Sequence, residues 1–193
     1  MPRRILIIEG HPDADAARFG HALVDAYRDA ALAAGHDVRT IVVGKLDFPL
    51  LRTGEDFQKG APVPAIAAAQ RDILWAQDLV IFYPLWFGSM PAFTKAFFEQ
   101  CLRPGFAFEE ASGRGLPKQK LKGRSARVVV TMGMPGFFYK WFYRAHSLKS
   151  FERNILRFCG IAPVRDTVVG MVESAGARKR ALAEMKNSGP AAR

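Results

Sequence analysis

The chain has 193 residues, enough for one domain with a real core and too few for two comfortable ones. Hydrophobic residues make up 49% and charged residues 24%, and no window approaches about 18 clean apolar residues, so no membrane span is expected. The net charge of +10 brings nucleic acid into question, but the basic residues are spread out, densest at 118–127 and 178–186, without a helix-turn-helix or finger signature, and no nucleic-acid partner is expected.

Met-Pro-Arg-Arg opens the chain and leads into a short apolar run with neither a full hydrophobic region nor a small-residue cleavage site. That run reads as a first strand, Arg4–Glu9, rather than a signal peptide. A loop, Gly10–Asp15, precedes a helix over Ala16–Ala34, with Leu23, Ala26, Tyr27, Ala30 and Ala34 on one face and Gly35 as its stop. Val38–Val43 is the second strand. The connection Gly44–Val63 is long enough to suggest an interface or functional loop. Pro64 starts a helix to Ala76; Leu79–Leu85, apolar without alternation, is a strand covered on both faces. A helix follows over Pro91–Leu102, then an irregular stretch, 103–125, rich in glycine. Ala126–Thr131 is the fourth strand, 132–146 a loop, Leu148–Cys159 a helix closed by Gly160, and Val164–Val172 the fifth strand. The last helix starts near Ala175 and is expected to fray past Asn187, so that 1–193 forms a single domain with a helix and frayed tail over 174–193. Cys101 and Cys159 fit small buried hydrophobes of a reducing cytoplasm; they offer neither a disulfide framework nor a metal pattern, and no metal is expected.

Strands alternating with helices imply an α/β fold: a flavodoxin-like doubly wound five-stranded parallel sheet, order 2-1-3-4-5, with helices on both faces. In that order the loops after strands one, three and four meet around one ligand. The first, Gly10–Gly20, empties into a helix N-terminus, an anion site to which His11 and Arg18 add donors; the plainer alternative is that Asp13 or Asp15 caps the helix. The second, Pro84-Leu85-Trp86-Phe87-Gly88, offers ring faces and close backbone to a flat ligand, unless Trp86 and Phe87 are core. In the third, six of the seven residues from Phe137 to Tyr143 are aromatic and no period sorts them to one buried face. They read as a pocket wall, a dimer contact, or both.

These segments resemble a known family. His11-Pro12, the run Tyr83 to Gly88 with Met90-Pro91-Ala92, and Arg103-Pro104-Gly105-Phe106-Ala107-Phe108 are similar to the flavodoxin-like NAD(P)H:quinone oxidoreductases, the DT-diaphorase-like group with its bacterial NAD(P)H oxidoreductases. The resemblance implies a homodimer with the active site at the subunit interface and a non-covalent FAD or FMN. It also implies hydride from NADPH or NADH and ping-pong reduction of a quinone-like acceptor. By matching position it implies that Pro84, Leu85, Trp86, Phe87 and Gly88 line the flavin ring, and that Thr131, Met132, Gly133 and Met134 meet its pyrimidine edge. His11, Arg18, Phe19 and Gly20 would address phosphate, while the pocket-wall reading of the aromatic loop gives Phe137, Phe138 and Trp141 to the acceptor. Tyr139 and His146 fall in the order of the family's catalytic tyrosine and histidine. Where the family commonly has Ser-Phe-Asn this chain has Arg18-Phe19-Gly20, and Thr-Thr-Gly-Gly is replaced by Thr131-Met132-Gly133-Met134. A function of another class, a non-catalytic flavin- or nucleotide-binding ancillary subunit that regulates a partner, rests on the basic Arg178-Lys179-Arg180 and the 44–63 loop.

Overall fold

A computed structural model describes residues 1–109, 115 and 117–191. Five parallel strands form the main sheet: β1 (Arg4–Glu9), β2 (Asp37–Val42), β3 (Asp78–Pro84), β6 (Ser125–Thr131) and β7 (Val164–Val169), in the order β2-β1-β3-β6-β7. This is the expected 2-1-3-4-5 arrangement. A separate antiparallel pair, β4 (Phe108–Glu109) with β5 (Lys118–Gln119), stands within the stretch expected to be irregular; residues 110–114 and 116 of that stretch lie outside the described residues.

The period of two along β1 divides the core. Ile5 and Ile7 face α1 (Phe19–Ala33) and α7 (Ala175–Ser188), where Leu23, Val24, Tyr27, Ala181 and Met185 are buried. Leu6 and Ile8 face the other way, toward α3 (Pro64–Trp75), α4 (Ala92–Cys101) and the helical stretch that starts with α6 (His146–Ser150). Here Phe151 packs between Tyr83 and Phe98, with ring centroids at 6.0 and 4.8 Å. β3 is buried on both faces from Asp78 to Tyr83, which is why its sequence shows no alternation. Both cysteines are buried, and burial raises their thiols, Cys159 to about 12, so neither is a reactive thiolate at neutral pH.

Several boundaries differ from expectation. α1 begins at Phe19 rather than Ala16, because Asp13 and Asp15 turn the chain: the Asp15 N–H donates to Asp13 Oδ1 (2.9 Å) and the Ala17 N–H to Asp15 Oδ1 (3.0 Å). Neither aspartate caps the helix; Arg18 occupies the N-cap and offers no side-chain acceptor. A short helix, α2 (Gly54–Lys59), interrupts the long connection, capped by Thr53, whose hydroxyl accepts from the Asp56 N–H (3.0 Å). The loop 132–146 contains α5 (Gly136–Trp141), and α6 runs on into a π-helical stretch, Phe151–Arg157. β7 ends at Val169, not Val172. Where fraying was expected, residues 189–191 form a single 3-10 turn against α1, and the ring of His36 bonds the Pro190 carbonyl through Nε2 (3.1 Å).

Candidate functional site

The three loops at the carboxyl ends of β1, β3 and β6 meet as the sheet order requires. Between them lies a crevice of about 340 Å³ lined by His11, Arg18, Phe19, Gly20, Pro84, Leu85, Trp86, Thr131, Met132, Gly133, Val172 and Arg178. Its walls are tied to one another through the backbone. The Leu85 N–H donates to the Thr131 carbonyl (2.8 Å) and the Met132 N–H to that of Val169 (2.9 Å). The Val172 and Met171 N–H groups donate to Met132 and Met134 carbonyls, each at 3.2 Å. Trp86 is 47% exposed, and its ring and that of His11 stand nearly perpendicular, with centroids 5.9 Å apart at 85°. Among the described residues the Gly133 and Met134 amides meet no backbone carbonyl, and the space a Gly133 side chain would take is open, with Glu173 Oε1 at 3.9 Å as its nearest neighbour.

One end of the crevice is basic. Arg18 donates from Nε to Asp13 Oδ2 (2.7 Å). The Asp15 N–H and then Arg18 hold the Asp13 carboxyl below the usual carboxylate range. Arg178, from the first turn of α7, lies 5.3 Å over the Phe19 ring and donates to the Val172 carbonyl (2.5 Å). The N-terminal turn of α1 points its positive dipole end into the same space. The His11 Nδ1 accepts from the Asp13 N–H (3.0 Å), and burial lowers the His11 pKa, so its ring is neutral at pH 7. Beneath this end a void the size of one water molecule is lined by Glu9, His11, Gly20, Phe82, Tyr83, Pro84 and Thr131. Glu9 is buried there against the Nδ1 of His21, and burial pushes its carboxyl above the usual range while His21 pulls the other way.

Several expected site residues stand elsewhere. Phe87 (φ 47°) and Gly88 (φ 78°) are the two central residues of a tight turn in which Trp86 and Ser89 exchange backbone hydrogen bonds at 2.8 and 3.0 Å. That turn throws the Phe87 ring fully into solvent, so Phe87 and Gly88 line no part of the crevice. Met134 packs against the core edge instead. Tyr139 is fully buried: α5 rotates it inward, where its hydroxyl lies 2.8 Å from the Ser147 Oγ and accepts from the Leu148 N–H (3.3 Å), joining α5 to α6. His146 is exposed at the start of α6, its Nδ1 donating to the Tyr143 carbonyl (2.9 Å). Neither expected catalytic side chain lines the crevice. Phe137 and Trp141 project outward at 75% and 78% exposure, beside a stack of Phe138 on Phe142 (5.0 Å, 5°).

Sequence reasoning missed Arg178, Val172, Glu9 and His21. Arg178 was read only within the basic 178–180 stretch as a surface for a partner; that it follows Glu173-Ser174, a helix-start signal just past the fifth strand, is the clue to its place here. A second hollow, about 470 Å³ between α2, α4 and the π-helical stretch, lies apart from the strand ends; its lining is apolar but for a few groups such as Arg52 and the Lys95–Glu99 ion pair.

The chain is 26% identical over 169 residues to an uncharacterized NAD(P)H oxidoreductase of Haemophilus influenzae, covering 86% of this chain and 82% of the other. It is 29% identical over 193 residues to rat NAD(P)H dehydrogenase (quinone) 1, covering 86% and 68%. The NAD(P)H:quinone oxidoreductase of Methanothermobacter marburgensis superposes with a TM-score of 0.83 at 19% identity, over 98% of this chain and 96% of that one. The family described as having a flavodoxin-like fold matches residues 3–188, so that sheet order, strand-end crevice and sequence agree: the chain belongs to that family.

Proposed function

We propose that the chain is a single flavin-binding domain and a flavin-dependent NAD(P)H oxidoreductase, passing two electrons in ping-pong order from NADPH or NADH to a quinone or similar flat acceptor. The observation that carries this reading is the crevice itself: one space bounded by an indole, a bare glycine amide and two arginines, at the end of the sheet where such folds bind their ligands. The donor set fits a flavin with phosphate. Arg18, Arg178 and the α1 N-terminus suit the anion, Trp86 and Leu85 a planar ring, and the Gly133 amide a polar edge. Bound FMN or FAD supplies the hydride acceptance and two-electron transfer.

The residues of the chain then orient and tune. Pro84, Leu85 and Trp86 exclude water from one side of the bound ring. The Gly133 amide, held by the ties of residues 132–134 to β7 and the loop after it, points a fixed donor at any negative charge on the edge it meets. His11, neutral and locked by Asp13, braces the indole. Tyr139 serves as a positioning residue, pinning α5 so that Phe137, Phe138 and Trp141 form an aromatic rim for the acceptor. Uncovered aromatic surface of this extent, with Phe87 nearby in sequence to the crevice wall, supports a homodimer whose second copy covers the rim.

Purified protein is expected to be yellow, to release FMN or FAD on denaturation, and to oxidise NADPH or NADH steadily when a benzoquinone is supplied. Protein that neither holds nor takes up flavin overturns the reading; flavin with negligible turnover favours the ancillary subunit. In the same assay Arg18→Ala is expected to weaken FMN about tenfold while riboflavin, which lacks the phosphate, is unaffected. Fluorescence titration of both flavins checks this.

A further inference from the structure

We propose that Glu9 and His21 form a proton-linked counter-charge beneath the phosphate end of the crevice, so that a phosphate-bearing ligand binds there together with one proton. The inference rests on the reading of the crevice as the seat of a flavin phosphate.

Glu9 ends β1 with its side chain 4% exposed, facing α1, and His21 lies on the first turn of α1 with its side chain 13% exposed. The His21 Nδ1 meets Glu9 Oε1, and its Nε2 lies 3.3 Å from the Asp13 carbonyl oxygen. Both ring nitrogens therefore face acceptors. A neutral imidazole has one N–H and satisfies one of them; only the imidazolium donates to both. Glu9 Oε1 is wholly buried and, among the described residues, no other hydrogen-bond donor reaches it, so the His21 Nδ1 is the group that can serve it. The other charged groups facing Glu9 are Asp25, one turn further along α1, and Lys45 from the turn after β2, while the His11 ring stands 6.2 Å from that of His21. The water-sized void that Glu9 lines shares His11, Gly20, Pro84 and Thr131 with the crevice.

A carboxylate buried behind an anion site opposes the anion unless it is neutralised. Phosphate arriving at Arg18 and the α1 N-terminus favours the protonated pair, and the proton comes from solvent onto the imidazole–carboxylate unit. The sign follows: bound ligand raises the pair's affinity for the proton. Affinity for the ligand is therefore greatest at low pH, where the pair is already protonated, and falls as pH rises.

Binding of FMN and of riboflavin is measured by fluorescence quenching from about pH 6 to about pH 8, the range over which histidine titrates. The phosphate's own second ionisation, near pH 6, acts in the opposite sense and is common to all variants. Relative to Glu9→Gln, wild-type protein is expected to lose about tenfold more FMN affinity across this range, while riboflavin binding stays within about twofold. His21→Gln is expected to flatten the FMN profile as Glu9→Gln does. Calorimetry of wild-type protein with FMN in two buffers of different ionisation enthalpy counts the proton directly and needs no variant to fold. FMN binding without proton uptake, or with the same pH profile in wild type and both variants, overturns the inference while leaving the flavin reading intact. Wild-type protein that binds neither flavin overturns that reading, and the inference with it.

Discussion

Gly133→Val is expected to fold as the parent does and to purify without flavin. A Cβ at this position meets nothing closer than Glu173 Oε1 at 3.9 Å, and the backbone is not in the left-handed region, so the substitution is expected to change stability by no more than about 0.5 kcal/mol. Gly133 lines the crevice, and a branched side chain at this position takes up room beside the bare amide. Filling it removes both the donor's access and the width a planar ring needs, and flavin affinity is expected to fall at least about a hundredfold, some 2.7 kcal/mol. Thermal unfolding and flavin fluorescence on the same sample check the two halves separately. Retention of flavin with normal affinity would place the ring elsewhere.

Gly170→Ala is expected to cost stability and function together. A Cβ there would lie 2.4 Å from the Gly136 nitrogen and 2.8 Å from the Met134 carbonyl oxygen. Both are backbone atoms, with no rotamer by which to move aside, and Gly136 is itself 3.2 Å from Val168 when given a Cβ. Overpacking of this kind costs about 1–3 kcal/mol, and here the upper end is expected. Relief comes by moving residues 132–136 away from the loop after β7, breaking the 3.2 Å bonds from Met171 and Val172 and with them the crevice wall. The urea midpoint should drop and flavin affinity should fall even below the transition. A neutral result would mean that the two loops move independently of one another.

Burial explains which parts of this architecture could be read from the sequence. β1, β3 and β6 are covered on both faces, so their apolar runs stand out, and the switch point and its loops follow from the strand order. α5 hid because its apolar residues are not on a buried stripe: Tyr139 alone is buried while Phe137 and Trp141 face outward, so the helical period carries no hydrophobic signal. α2 hid for the same reason, having no buried residue, although Thr53 three residues before Asp56 is a cap signal. The aspartates that shortened α1 use their side chains on their own backbone, a local competition that composition does not reveal. The tyrosine–histidine spacing was legible but not its direction: one turn of helix sends Tyr139 into the core. Glu9 was invisible, because a glutamate at the end of an apolar run reads as the strand's polar stop.

The turn at Phe87 has a consequence for how this protein would change under selection. A phenylalanine held at φ 47° with its ring in solvent is less stable than asparagine or glycine by about 1 kcal/mol, since those residues enter that conformation freely. Heat-stability screening alone would therefore discard the ring at its first opportunity. A lineage that keeps it is one in which robustness has been traded for something the ring touches only in company, and Phe87 marks where thermostabilised descendants would lose their usefulness first.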